Sequence, residues 1–237
     1  DKPYLIINDI TLNYAQSNAL ARRFANALLD MGVRKGDRLA LMAPNVPQYI
    51  IALQACFKIG VIVVPVNPLA TPLEITHQLN DSGAESMVVM AVFAGGPVGI
   101  LKAKASPLKR LIAFQVRSLP VEVEKADGVY DYDALIGSAR DTEPDIEVAW
   151  HDTALLQYTG GTTGVSKGCR LSNYNLVSIA YQDVGWFAPL FKPGELRTLA
   201  AIPVYHIFGF NCNVNVNLAN GGTIILVPQP TPDNILD

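Results

Sequence analysis

Apolar residues return along this chain with two different periods, and the switches between them mark its elements. From 17 to 31, Leu20, Phe24, Leu28 and Met31 fall on one helical face, and Gly32 follows as a natural stop. Residues 38–42 read as a strand, and Asn45 is placed to cap a helix running to about Phe57. The β-branched run 61–66 has the character of a buried strand. Thr71-Pro72-Leu73-Glu74 is a capping box with proline at the first helical position, so another helix starts there. Residues 86–91 and 111–114 predict further strands, with a helix over 98–105 between them. The charged stretch 119–144, with its Gly and Pro, predicts a surface excursion. Beyond it come an apolar run at Ala154-Leu155-Leu156, a short strand over 169–171, a helix over 174–183 and a central strand over 223–227. Strand–helix–strand alternation predicts an α/β fold, with a mainly parallel sheet flanked by helices.

One stretch carries a conflicting signal. Asn211, Asn213, Asn215 and Asn217 alternate with Cys212, Val214, Val216 and Leu218, which by period alone is a half-buried strand.

Composition sharpens the picture. The chain is 50% hydrophobic and 16% charged, against roughly 25% charged in ordinary soluble domains. That balance fits a piece of a larger fold, or a chain that buries much area against a partner. The net charge of −3 gives no electrostatic case for nucleic-acid binding. Cys56, Cys169 and Cys212 are far apart, without metal-type spacing, and the simple expectation is a reduced, cytoplasmic setting. No basic-then-apolar leader opens the sequence. The most membrane-like stretch, 49–66, contains Gln54, Lys58 and Gly60 and reads as a helix followed by a strand. Peripheral membrane contact stays open, as does a homodimer.

The chemistry concentrates in Tyr158-Thr159-Gly160-Gly161-Thr162-Thr163-Gly164-Val165-Ser166-Lys167-Gly168. Three threonines, four glycines and one lysine share these eleven residues, directly after an apolar run. Glycines let backbone N–H groups turn inward on an anion, threonine hydroxyls add donors, and a lysine supplies a mobile charge for phosphate oxygens. A flexible linker is the bland alternative, but linkers rarely sit between two apolar segments and end in a single lysine. The common P-loop is excluded, because Lys167 is followed by Gly168 rather than by Ser or Thr.

The loop resembles the phosphate-loop signature of the adenylate-forming superfamily, which comprises acyl-CoA synthetases, adenylation domains of peptide synthetases and luciferases. It departs at Ser166, where proline is usual, and that implies a less stiff loop. Pro203-Val204-Tyr205-His206-Ile207-Phe208-Gly209 resembles the family's Pro-x-x-His-x-x-Gly segment, which borders the acyl and adenylate site. Val64-Pro65-Val66-Asn67-Pro68-Leu69 and Gln78-Leu79-Asn80-Asp81-Ser82-Gly83-Ala84 resemble the early region of fatty-acid and aryl acyl-CoA ligases. The resemblance spans essentially the whole chain. Family members run to about twice this length, so it implies the N-terminal half of a large adenylation domain, without the small C-terminal domain. Residues 38–185 would form a first α/β subdomain, and 1–37 would join 186–237 in a second. The resemblance also resolves 211–217 as a helix, with Phe208, Cys212 and Asn215 on one face, whose asparagines then need hydrogen-bond partners.

The implied reaction has two steps. A carboxylate attacks the α-phosphorus of ATP, releasing pyrophosphate. A thiol, usually that of coenzyme A, then displaces AMP. On this resemblance Thr159, Gly160, Gly161, Thr162, Thr163, Gly164 and Lys167 grip the departing phosphates, and His206 orients the carboxylate or adenylate. Gly209 would let the acyl chain approach the backbone. Magnesium would accompany ATP, with no ligand for it nameable in this sequence. The form of the loop leans towards a long-chain fatty acid. Two other readings stay open: an adenylation domain loading a carrier-protein thiol, and a truncated, non-catalytic nucleotide-binding fragment. His77 reads as a plain surface residue, and His151 as structural or solvated. Asp127, Asp131 and Asp133 read as a solvated acidic face. Cys169 has no histidine near it in sequence, and Ser166 and Ser172 lack the setting of a hydrolase nucleophile.

Overall fold

The computed structural model describes residues 2–117, 119–159 and 165–236. Strands β1 (Pro3–Ile7) and β2 (Ile10–Asn13) lead into α1 (Tyr14–Asp30). Then follow β3 (Arg38–Met42), α2 (Pro47–Lys58), β4 (Ile62–Pro65), α3 (Pro72–Ser82), β5 (Ser86–Met90), α4 (Gly95–Ala103) and β6 (Arg110–Phe114). Next come β7 (Val129–Asp131), α5 (Tyr132–Ser138), β8 (Thr153–Thr159), β9 (Lys167–Ser172) and α6 (Asn173–Phe187). The remainder is β10 (Arg197–Ala200), a helical run over 207–220, β11 (Thr223–Leu226) and a short helix, Pro232–Leu236.

The strands make two sheets. The larger has the order β7-β6-β5-β3-β4-β8-β9 and is parallel except for β9, which runs antiparallel to β8. The smaller has the order β10-β11-β1-β2, with β1 parallel to β11 and antiparallel to β2. The fold is therefore α/β and mainly parallel, as the alternation predicts. Four of these strands, β1, β2, β7 and β10, carry no sequence signal singled out above.

Strand alternation sorts the core into two layers. Leu39, Leu41, Val63, Val88, Ile112 and Phe114 face α1 and α2, where they pack with Phe24, Leu28, Ile50 and Leu53. Leu5, Ile224 and Leu226 of the smaller sheet join this same core, so α1 and α2 are shared between the two sheets. Their neighbours Ala40, Met42, Val64, Met87, Val89 and Leu111 face the other way, onto Ile75 and Leu79 of α3 and Val98 and Ile100 of α4. Each fully buried aliphatic side chain contributes about 1.5–3 kcal/mol of transfer free energy.

Helix boundaries follow side-chain capping. α3 starts as expected: Thr71 accepts from Glu74 N–H, the Glu74 carboxylate accepts from Thr71 N–H, and Gly83 closes the helix in a left-handed conformation. α1 begins three residues before the expected start, because Asn13 and Gln16 form a capping box of their own. The cap assigned to Asn45 is a misreading. Val46 precedes α2 without any side-chain cap bond, and Pro47 opens the helix. Asn45 is instead buried, donating to the carbonyls of Ala200 (2.7 Å) and Ile202 (3.0 Å) and accepting from Val204 N–H (2.8 Å).

The stretch 119–144 is more than a surface excursion. β7 pairs with β6 at the edge of the larger sheet, and Tyr132 is buried against Phe24 and Phe114. Asp127, Asp131 and Asp133 are all exposed, as expected, and Asp131 is in addition the α5 cap, accepting from Ala134 N–H at 2.7 Å. Asn26, buried on α1, donates to the carbonyls of Arg140 (3.0 Å) and Thr142 (2.8 Å) and fastens the end of the stretch. Among the described residues no helix is long and apolar enough to cross a membrane.

Residues 207–220 are helical, and the middle of the run, Phe210–Asn215, widens to i→i+5 hydrogen bonding. All four asparagines find partners. Asn211 donates to the Asp183 carboxylate at 2.7 Å and Asn213 to the Ile202 carbonyl at 3.1 Å. Asn215 donates to Leu176 O and to Asn211 Oδ1, and Asn217 to Thr198 Oγ1 and Asn213 O.

Candidate active site

β8 is buried through Ala154, Leu155 and Gln157 and becomes exposed at Thr159, where the glycine-rich loop begins. The chain returns as β9, and the ladder sets Thr159 opposite Lys167 and Tyr158 opposite Gly168. Both ends of the loop therefore lie side by side at the sheet edge. Gly160, Gly161, Thr162, Thr163 and Gly164, to which phosphate contacts are assigned above, lie outside the described residues. Lys167 is exposed, and among the described residues no carboxylate lies within ion-pair range of it. Ser166 Oγ donates to the Thr159 carbonyl at 2.7 Å, so the residue standing where proline is usual bonds the loop's two ends together.

His206 comes from a different part of the chain. It precedes the helical run 207–220, and its Nδ1 accepts from Phe208 N–H at 3.3 Å. With Nδ1 an acceptor, the neutral ring carries its hydrogen on Nε2, which is a donor available to an anionic oxygen. Three amide side chains fix the main chain ahead of it. Asn45 holds residues 200, 202 and 204, Asn213 holds Ile202, and Gln157 of β8 donates to Tyr205 O at 3.3 Å. Gln157 thus ties the strand that feeds the loop to the residue before His206. Of these three, only Asn213 was flagged by its pattern as needing a partner.

Gly209 is buried, and a β-carbon there would lie 2.2 Å from the Pro203 carbonyl oxygen. That close approach within the protein accounts for the glycine by itself, without the acyl chain invoked above. Gly168 answers a similar need, since a β-carbon there would meet the Tyr158 ring at 3.0 Å. Tyr158 donates to the Asp81 carboxylate at 2.5 Å. Burial, then that carboxylate, push its phenol well above the ordinary range.

His77 is not the plain surface residue its sequence suggests. Half-buried on α3, it lies 2.9 Å from the Ser166 carbonyl through Nε2, with its ring edge-on to Tyr158. His151 is exposed beside Trp150, and Cys169 is exposed on β9. Among the described residues no group of three His, Cys, Asp or Glu side chains could hold a metal ion. An apolar cleft of about 490 Å³, lined by Tyr4, Tyr14, Phe57 and Leu218 among others, shares no residue with the loop or with 203–209.

Fold and site together define a class: α/β proteins in which a core strand leads into a glycine- and threonine-rich stretch and, through a glutamine side chain, holds a second, histidine-capped segment. A family model described as AMP-binding enzyme matches residues 1–237, and the chain belongs to that family. A long-chain-fatty-acid–CoA ligase of Salmonella typhimurium is 33% identical over 249 aligned positions, covering 97% of this chain and 44% of the relative. The Yersinia pestis protein of the same name is 35% identical with the same coverage. A 4-coumarate–CoA ligase of Solanum tuberosum is 30% identical, over 96% of this chain and 40% of its own length. The chain thus spans less than half the length of these curated relatives. A solved Mycobacterium tuberculosis fatty acyl CoA synthetase superposes with a TM-score of 0.81 at 26% identity, covering 96% of this chain and 42% of that one. An anthranilate CoA ligase in complex with anthranoyl-AMP reaches 0.85 at 22% identity, over 96% and 42%, and supports the fold alone.

Proposed function

We propose that this chain carries the polyphosphate-gripping part of an ATP-dependent acid–thiol ligase whose substrate is a long-chain fatty acid. The observation that carries this reading is the β8–β9 ladder: it brings Thr159 opposite Lys167 while Gln157 on the same strand holds the His206 segment. Two separately encoded groups, a mobile cation and an outward imidazole donor, are thereby served by one strand. The acid's carboxylate attacks the α-phosphorus of ATP, the bond to the β-phosphate oxygen breaks, and pyrophosphate leaves with that electron pair. Lys167 and the loop donors neutralise charge building on the departing oxygens, and His206 Nε2–H donates to the carboxylate or to the acyl-adenylate. An ionised carboxylate needs no base, so His206 orients rather than abstracts a proton. Preorganised donors of this kind need no rearrangement as charge shifts. A thiol, for which the relatives' names favour coenzyme A, then displaces AMP to leave a thioester.

In this scheme magnesium enters as the metal of the ATP substrate. The division into 38–185 and a second unit of 1–37 with 186–237 belongs to the same proposal, and the two-sheet topology supports it. A second reading is that this chain binds nucleotide phosphates without turnover, a role the exposed Lys167 would serve equally well.

The test is carboxylate-dependent ATP–pyrophosphate exchange, with acids from acetate to palmitate. It is run on this chain and on a chimaera that adds the remaining length of a long-chain relative. Exchange by the chimaera that peaks with long acids is the expected result. Pyrophosphate binding without exchange in either protein would favour the second reading.

A further inference from the structure

The glycine-rich loop is gripped from outside the strands that carry it. His77 and Asp81 lie one helical turn apart on α3, and each engages one end of the loop. His77 Nε2 is 2.9 Å from the carbonyl oxygen of Ser166, the residue before Lys167. A carbonyl oxygen only accepts, so Nε2 carries the hydrogen. Asp81 Oδ2 accepts from Tyr158 OH at 2.5 Å, and the Tyr158 ring in turn flanks Gly168 and meets the His77 ring edge-on. Ser166 Oγ closes the set by donating to Thr159 O at 2.7 Å. Four side chains thus join both described ends of the loop to one turn of one helix.

That turn is itself well fixed. A capping box starts α3, a left-handed glycine ends it, and Ile75 and Leu79 bury its other face in the core. Residues at i and i+4 share a helix face, so His77 and Asp81 cannot move independently of each other. The peptide between Ser166 and Lys167 is oriented by the His77 contact, and that peptide decides where the Lys167 side chain begins.

We propose that His77 and Asp81 are positioning residues for the phosphate grip, acting through Ser166 and Tyr158 to hold the two described ends of the loop, and with them the root of Lys167, in place before the anion arrives. The proposal rests on the phosphate-grip reading above. Preorganising a loop raises affinity by removing an ordering cost that the ligand would otherwise meet.

The experiment uses this chain and inorganic pyrophosphate, titrated calorimetrically into wild type, Lys167→Ala, His77→Ala, His77→Gln and Asp81→Ala. Amide hydrogen exchange over 158–168 is followed in the same proteins without ligand. A glutamine amide can replace the Nε2–H donor, so His77→Gln is the rescue variant. Removing one part-buried hydrogen bond should weaken pyrophosphate binding roughly five- to tenfold in His77→Ala. His77→Gln should recover most of that loss. Exchange over 158–168 should rise several-fold in His77→Ala and Asp81→Ala and stay near wild type in His77→Gln. Equal exchange in all of them would overturn the proposal, whatever pyrophosphate does. Loss of binding in Lys167→Ala with full binding in His77→Ala would also overturn it and leave the phosphate grip standing. A wild-type chain that binds no pyrophosphate would instead remove the phosphate-grip reading, and the positioning role with it.

Discussion

Asn45 shows how much one side chain can organise. Its amide serves two carbonyls and one N–H on residues 155 to 159 positions away, at the root of the His206 segment. Asn45→Ala leaves the buried Val204 N–H without a partner and takes one of two donors from each carbonyl, since Ala200 O keeps Val227 N–H and Ile202 O keeps Asn213. It should lower unfolding free energy by about 1–3 kcal/mol in urea titrations. Lys167→Ala is the opposite case. The lysine is exposed, so stability should change by less than about 0.5 kcal/mol, while pyrophosphate exchange in the chimaera falls sharply. Cysteine reactivity gives a third readout. Cys169 is exposed, whereas Cys56 is buried and burial pushes its thiol far up. A thiol reagent should therefore label Cys169 in the folded chain and reach Cys56 only on unfolding. At this scale a compact motif singled out Lys167 and, through the family resemblance, His206, and both side chains are exposed. Local spacing misassigned Asn45 and His77, because capping and exposure rules look only a few residues along the chain. The partners of those two side chains lie far away in sequence, on residues 200–204 and at Ser166.

Among the elements, capping decides boundaries that hydrophobic period leaves vague. The box at Thr71 and Glu74 was readable, and it makes a pH prediction. Thr71 N–H, then its hydroxyl, hold the Glu74 carboxyl below the usual carboxylate range. A carboxyl whose folded value is lowered contributes stability above its unfolded value, and that contribution disappears as pH falls through the folded one. An NMR titration should therefore find Glu74 ionised at pH values where an ordinary glutamate is already protonated. Thr71→Ala should return it towards the ordinary range. The asparagine alternation misleads for a physical reason. Asn215 bonds Asn211 and Asn217 bonds Asn213, so the period of two is two interleaved i,i+4 helical pairs. β7 and α5 were hidden because they are short and lie among charged residues, and their stability comes from Tyr132 packing on α1 and β6.

The whole molecule carries its two sheets on one shared core, yet it leaves large apolar side chains outside. Trp186, Leu190, Tyr181 and Tyr174 are 81%, 70%, 62% and 57% exposed along and just after α6. A surface of that kind exceeds the scattered apolar residues normal on a soluble domain. The folded chain should therefore bind the dye ANS, and Trp186→Lys with Leu190→Lys should cut the signal severalfold without changing the far-ultraviolet circular dichroism. The low charged fraction announced such a face, but composition could not say where it lies.

The smaller sheet has a consequence in time. β1 lies between β2 and β11, and Pro3 accepts a hydrogen bond from Thr223, 220 positions later. Translation proceeds at about 5–20 residues per second, so the first hairpin waits roughly 10–45 s for its neighbour. Through that interval Leu5 and Ile7 present an open strand edge to the ribosome's surroundings, the interval in which a chaperone or a second nascent chain would compete for it.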